Sequence, residues 1–550
     1  MQGKINEIRN KMIKKWIQIP FAILVILVTG ACYNLFAYFQ QIGAAQGYGK
    51  TTMTVIKYTV LFGYFLGLIP GYIVRTIDEK GGFIVAAIMS FLSMATLGYI
   101  ANNGEGSGFE WIIMILALFF GAMSGSIAII AAIVTPVKSF PFKAGALIIV
   151  ILIGYYKIAP YFEYSIRSAF LEDPDLMWYF ISIGVVQAVV FLIGAFAIDE
   201  VDLGAKAEQV MEKYDVMGLL VFVLLEVILF VAFFVVALVY EDWFIGCIIF
   251  LVFTFLNFLA VGASFGLVYS QFDVKDLMKG GGDKVKRNTV LFEDMLKEPK
   301  YICLVFASLF VVGVGMTFSF NVFQTAFAYG LIDSADNILD TFWAASMFGR
   351  VGGGLLAYFF IDSINGYHWA IGGAASVAFG FGLAILTEPV GDMFLFIASV
   401  LIAFGTGIYW VIVPSIVMDD AGEKNFGLNW GLTLFANAFG MFLFGEMFDW
   451  IYEWQGDGAE TCSGGNCTMI QFIVFGLFGL AAAGLAWFAL QKDQEKKGDD
   501  KGGKGKSKGD KKDGKDRGRS KSKDKKAGKD GKSKSKGKGK SKSKSKNKKK

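Results

Sequence analysis

The sequence predicts an all-α polytopic membrane protein of about 14 spans, arranged as two six-helix halves with two helices inserted between them. Three observations point there. The 550 residues are 55% hydrophobic and include 66 glycines, a composition far from that of soluble domains. Apolar runs of the roughly 20 residues needed to cross a bilayer recur fourteen times. A stretch near the amino terminus also reappears 283 positions later with its polar residues in register.

In order, the runs lie near 17–39, 54–74, 83–100, 111–134, 144–165, 177–198, 217–240, 243–269, 301–327, 338–360, 368–387, 393–418, 428–450 and 470–491. Lys4, Arg9, Lys11, Lys14 and Lys15 precede the first. That run is too long for a typical cleaved signal and shows no small-residue cleavage site, so it is expected to remain as a span. Basic residues then recur in alternate connections: Arg75 and Lys80, Lys138 and Lys143, Lys206 and Lys213, the 270–300 loop, Lys424 and the tail. By the positive-inside bias both termini are expected in the cytosol. Only Glu241 and Asp242 separate the seventh and eighth runs, which therefore read as a hairpin outside the repeat. The resulting divisions are 1–16, a cytosolic terminus; 17–198, the first half; 199–299, the central region; 300–491, the second half; and 492–550, the tail.

The basic character belongs to the tail. From residue 492 onward 28 Lys and Arg face 9 Asp and Glu, a balance of +19, whereas residues 1–491 have 24 against 38, or −14. The ending "KSKSKGKGKSKSKSKNKKK" has almost nothing to bury and is expected to be disordered. It reads first as a solvated cytosolic extension and second as a partner for anionic lipid headgroups. No folded module supports nucleic-acid binding.

Cys462 and Cys467, in "ETCSGGNCTM", fall in a connection assigned to the outer face, where oxidising conditions permit a disulfide. A metal site is the rival, but the chain has a single histidine, His368, and no metal or cofactor is expected. The "GGGDK" at 280–284 lacks Walker spacing, and no nucleophile constellation or nucleotide fingerprint is visible. The sequence therefore favours neither an enzyme nor an ATP-driven pump.

The repeat concerns polar residues that hydrocarbon cannot satisfy. "GMTFSFNVFQTAFAYG", residues 315–330, carries Thr317, Asn321 and Gln324; "TGACYNLFAYFQQIGAAQGYG", residues 29–49, carries Asn34, Tyr38 and Gln41. Both triplets have the spacing i, i+4, i+7, one stripe on one helix face. The same shift sets Gly71 on Gly354, and "VTPVKSFPFKAG" has a counterpart in "IVPSIVMDDAGEKNFGLNWG". Parallel repeats place a substrate site near the midplane, between the halves. The stripes then face a water-filled cavity or, alternatively, bind each helix to a neighbour.

The order of "GLIPGYIVR", "SFPFKAG", "GRVGGG", "EKNFGLNWG" and "CSGGNC" resembles the major facilitator superfamily, in its nodulin-like branch, which is distantly similar to monocarboxylate transporters. The resemblance covers residues 16 to about 490. It implies a major-facilitator-type bundle that moves a small organic solute by alternating access, with an organic anion such as a monocarboxylate preferred because the buried cations could hold one. The superfamily's gate loop, Gly-x-x-x-Asp-Arg, is altered: Arg75 stands at the aspartate position and Asp78 follows three residues later. In monocarboxylate transporters an arginine similar to Arg350 binds the anion, with an aspartate one turn earlier for proton coupling; here that position is Ser346. Lys157 is expected to snorkel to the surface or to line the cavity, and Glu226 to hydrogen-bond a neighbouring helix, with Arg350 as a conceivable partner, or, as the second reading, to carry protons. The other function open to such a chain is a transporter-derived receptor or assembly subunit that no longer transports.

Overall fold

The computed structural model describes residues 2–30, 50–103, 109–140, 143–170, 176–203, 205–239, 243–271, 290–360, 363–456 and 462–506. The first-half stripe of Asn34, Tyr38 and Gln41, most of the 270–300 loop and the tail beyond residue 506 lie outside them. Packing separates Met1–Glu495 from Lys496–Lys550. The first unit holds the helical bundle; the second opens with helical residues 496–506.

The described regular structure is helical. In chain order it comprises α1 (Gln2–Val28), α2 (Lys50–Phe65), α3 (Leu68–Asn103), α4 (Glu110–Ser139), α5 (Lys143–Phe170), α6 (Leu176–Ala197), α7 (Ala205–Val239) and α8 (Trp243–Gln271). There follow α9 (Phe292–Met295), α10 (Pro299–Phe320), α11 (Val322–Ala328), α12 (Ala335–Phe359), α13 (Gly366–Ala384), α14 (Thr387–Val390), α15 (Met393–Ala421), α16 (Phe426–Gln455) and α17 (Asn466–Lys506). Seven helical stretches among the described residues are long and apolar enough to cross a membrane.

Local sequence explains several boundaries. Pro299 opens α10, where a missing N–H costs nothing. The Asn365 side chain accepts from Tyr367 N at 3.3 Å and caps α13. Gly422, at φ 78°, turns the chain out of α15 while its N–H returns to Met418 O at 2.9 Å. The last helix continues past residue 491, where the apolar run ends, because Gln491–Lys497 is rich in good helix formers.

The predicted continuous span over 301–327 is corrected. The chain leaves helical geometry at Asn321, φ −114° and ψ 21°, so α10 and α11 are separate helices. The i, i+4, i+7 stripe therefore does not run along one axis. Thr317 and Asn321 are buried, Asn321 Nδ2 donating to Thr317 O at 2.9 Å, whereas Gln324 is exposed. The Thr317 carbonyl accepts from both the backbone N–H and the side chain of Asn321 at this break, a local bond of the kind that competes with regular helix.

Glycine sets the closest helix approaches. A Cβ on Gly349 of α12 would strike the Phe404 carbonyl of α15, and one on Gly353 would lie 2.7 Å from Ile408 Cγ1. Across to α5, a Cβ on Gly354 would lie 2.7 Å from Val150 Cγ2, and one on Gly154 would lie 2.9 Å from Val351 Cγ2. "GRVGGG" is thus a packing surface on two sides of α12, as small residues commonly supply between membrane helices. Gly352, in the same motif, has nothing within 4 Å.

Gly349→Ala is expected to destabilise the purified protein by about 1–3 kcal/mol through overpacking. Gly352→Ala should be neutral or slightly stabilising because only helix propensity changes. Thermal unfolding compares them, and equal effects would sink the packing account.

Candidate functional site

The close crossing of α5 and α12 brings Arg350 to the α5 backbone. Arg350 is 2% exposed, and its Nη1 donates to the Ile153 carbonyl at 3.2 Å. The adjacent Gly154 has no side chain to hold the helices apart. The guanidinium carbon lies 4.9 Å from the Trp410 ring centroid and 5.6 Å from that of Tyr156, within cation–π range. Tyr156 and Trp410 are 5.9 Å apart, Tyr156 stacks on Tyr64 at 5.9 Å, and Phe65 lies 5.8 Å from Trp410. Residues of α2, α5, α12 and α15 thus enclose one cation.

Lys157, one turn along α5 from Ile153, supplies a second. Its Nζ lies 2.8 Å from the Trp343 ring centroid and 6.0 Å from that of Phe342, and the residue is 5% exposed. The expectation that it snorkels is corrected, since an aromatic face on α12 holds it inside. Lys157 and Arg350 act on one another electrostatically, and among the described residues no carboxylate pairs with Lys157. Near them Ser346 Oγ and Trp410 Nε1 are buried without a hydrogen-bond partner among the described residues. The cluster is therefore rich in positive charge and hydrogen-bond donors and walled by aromatic rings, a fit for a compact anion with an apolar body.

The other candidates lie elsewhere. Thr317 Oγ1 is buried without a described partner, and the hydrogen bond of Asn321 stays within its own segment. Glu226 does not partner Arg350 in the described hydrogen bonds; it accepts from the Tyr155 hydroxyl across the α5–α7 contact. A cavity of about 620 Å³, lined by Thr54, Tyr58, Phe62, Ile115, Phe442 and Glu446 among others, lies between α2, α4 and α16 and includes no member of the Arg350 cluster.

At the end of the bundle where α1 begins, Asp78 and Arg75 make no ion pair with one another among the described residues. Both are exposed, Asp78 takes φ 65° at a break in α3, and its Oδ1 accepts from Gly81 N at 2.8 Å. The carboxylate is thus occupied as a local cap. Neighbouring charges make the long-range contacts instead: Lys14 with Asp199 at 2.8 Å, Lys80 with Asp199 at 3.3 Å, and Lys138 with Glu79. In the later part of the chain Lys300 meets Asp420 at 2.5 Å and Asp493 at 3.1 Å. At the other end, Cys462 and Cys467 are joined by a disulfide.

Sequence reasoning missed Tyr64, Tyr156, Trp343 and Trp410. Tyr64 follows Gly63 and Tyr156 precedes Lys157, a pattern common in this chain, while Trp343 and Trp410 carry no such mark.

Among solved structures, the E. coli fucose:proton symporter FucP is similar at 14% identity and TM-score 0.50, with 87% of this chain and 99% of that chain covered. The proton:xylose symporter XylE, also from E. coli, is similar at 14% identity and TM-score 0.53, with 87% and 96% covered. The fold is that of major facilitator superfamily transporters, and the protein is an integral, multi-pass membrane protein. Residues 15–266 match the family model described as Nodulin-like, and residues 288–495 the model described as NFD4, C-terminal domain. The chain is thus similar to the nodulin-like family over residues 15–266. Weaker similarity links 98 residues to the probable transporter mch1 of Emericella nidulans, at 28% identity, covering 17% of this chain and 15% of that protein. The probable transporter MCH1 of Yarrowia lipolytica is 31% identical over 97 residues, 17% of this chain and 20% of that protein. The matched stretch thus spans at most a fifth of these curated relatives.

Burial pushes the Asp199 carboxyl up, but hydrogen bonds from Lys14 and Lys80 outweigh it and hold the group below its ordinary value. A depressed carboxyl stabilises the fold above its unfolded pKa, about 3.9, and loses that contribution as pH falls through the folded value. Wild type should therefore be more stable than Asp199→Asn at neutral pH, the difference closing in acid below about pH 4. Thermal unfolding across pH measures it; a constant difference would refute the pairing.

Proposed function

We propose that the protein is a secondary or facilitative transporter of a small organic anion, such as a monocarboxylate, working by alternating access of two six-helix halves. The observation that carries this reading is the buried pair Arg350 and Lys157, set among donors and aromatic rings at the α5–α12 crossing. A carboxylate would meet the planar fork of the guanidinium in two-point contact while its carbon body lay against the rings.

On this reading the halves are α1–α6 and α10–α17, about 14 spans in all with the α7–α8 hairpin, and both termini are cytosolic. Corresponding contacts support the division. In the first half α1 packs on α5 and α3 on α4; in the second α10 packs on α16 and α13 on α15. Lys14 of α1 pairs with Asp199 after α6, as Lys300 of α10 pairs with Asp493 of α17. Between the halves, α5 lies against α12 and α3 against α16.

Reconstituted protein is expected to show saturable flux of one or more small monocarboxylates, tested beside amino acids and sugars. Arg350→Gln should weaken apparent affinity at least about tenfold, the loss of a charge-assisted hydrogen bond of about 1.5–3 kcal/mol, and Arg350→Lys should not fully restore it. Full affinity in both variants at unchanged thermal stability would remove Arg350 from the site. For the topology, an impermeant thiol reagent should reach reduced Cys462 and Cys467 only from the outer face. Labelling only from the cytosolic side would invert the assignment.

A further inference from the structure

The Arg350 cluster leaves the α7–α8 hairpin without a task, yet the hairpin's buried faces are not all apolar. It packs on α1 and α5. On α7, Asp215 and Glu226 are eleven residues, or three turns, apart, so they share a face about 16 Å apart along the axis. On α8, Asn257 and Ser264 share a face about 10 Å apart.

One end of this face is a buried ion pair about halfway along α1. Lys15 Nζ meets Asp215 at 2.5 Å, and Trp16 Nε1 donates to the other oxygen at 3.2 Å. The Trp16 ring lies 6.1 Å from Phe265, the neighbour of Ser264, and the Phe21 ring lies 6.3 Å from Phe258, the neighbour of Asn257. Ser264 therefore lies near the level of Trp16, Asn257 near that of Phe21, and Glu226 deepest. Gln18 follows Lys15 by about one turn on α1.

All four are buried: Gln18 and Ser264 at 0% exposure, Asn257 at 2% and Glu226 at 3%. Both amide atoms of Gln18 and of Asn257, Ser264 Oγ and Glu226 Oε1 have no hydrogen-bond partner among the described residues. Folded proteins rarely leave such groups dry; water bonds them when side chains do not. Glu226 Oε2 accepts from Tyr155, the titratable group that α5 presents to it. Among the described residues α8 presents no titratable group to Glu226, and on α7 the nearest charge on its face is Asp215.

We propose that Glu226 is a proton-binding site, reached from the Lys15–Asp215 end through a water-linked file of Ser264, Gln18 and Asn257. The step is a simple association: a proton from bulk water converts the carboxylate to the neutral acid, and the reverse step returns it. The ionised group can only accept from Tyr155, whereas the neutral acid can also donate, so the proton can change the direction of that hydrogen bond. Tyr155 sits between Ile153, whose carbonyl takes Arg350, and Lys157. Proton and anion then share one turn of α5, a link that rests on the anion-site reading above, and neutralising Glu226 favours anion entry.

The test uses the full chain in phosphatidylcholine vesicles, with infrared difference spectra recorded between acid and alkaline pH. Wild type should show a protonated-carboxyl band that grows as pH falls. Glu226→Gln, which still accepts from Tyr155, should lose it, while Arg350→Gln should keep it and lose only anion flux. Failure of the anion reading is thereby separated from failure of this one. Asn257→Leu and Ser264→Val should slow deuterium exchange of that carboxyl several-fold. A titrating band that survives in Glu226→Gln, or no such band in wild type, overturns the site; unchanged exchange in both file variants overturns the route. Should Glu226→Gln not fold, Glu226→Asp must move the band or its midpoint, and an unmoved band counts against the assignment.

Discussion

The structure depends on how closely two helices can cross inside a membrane. With Gly154 on α5 and Gly354 on α12, the backbones come near enough for Arg350 to reach a carbonyl already engaged in a helix. A larger residue at either position would separate the helices and leave the guanidinium without that acceptor. An arginine at mid-span opposes insertion by about 2.5–3.5 kcal/mol on translocon scales, so the crossing, the carbonyl and the flanking rings together make the charge tolerable. The α12–α15 contact at Gly349 and Gly353 is the second half of the same arrangement, and brings Trp410 to the other side of the arginine.

Much of this was legible in the sequence because lipid imposes long apolar segments and penalises isolated charge. Arg350, Lys157 and Glu226 stood out for that reason, and "GRVGGG" announced close packing. The environment of each charge did not. Lys157 resembles a snorkelling residue until Trp343, far away in sequence, is placed over it. The sequence did not show that the backbone of Asp78 lies in the left-handed region, where its carboxylate caps its own turn. The spacing of Thr317, Asn321 and Gln324 fitted one helix face only while the helix was assumed to continue, and the chain leaves helical dihedral angles at Asn321.

Charged residues divide here into two populations with different physics. Those at the bundle end near Lys14, Lys80 and Asp199 are partly solvated, so each pair contributes little alone and matters through the elements it joins. Lys300, set against Asp420 and Asp493, is more deeply enclosed, and Tyr367 and Asn365 satisfy further carboxylate oxygens there. Breaking such a cluster by removing one member leaves an uncompensated charge.

The disulfide loop is attached in more ways than its covalent bond. The Tyr452 hydroxyl holds both the N–H and the carbonyl of Cys462, Gly464 N reaches Ala328 O at 2.7 Å, and Gly465 N reaches Glu388 at 3.2 Å. This short loop is thus laced to the ends of α11, α14 and α16. A hinge requires segments that can change dihedral angle independently, and this rim offers few. Any movement of this rim would carry these helix ends as one piece, leaving the bending to breaks elsewhere such as those at Asn321 and Asp78.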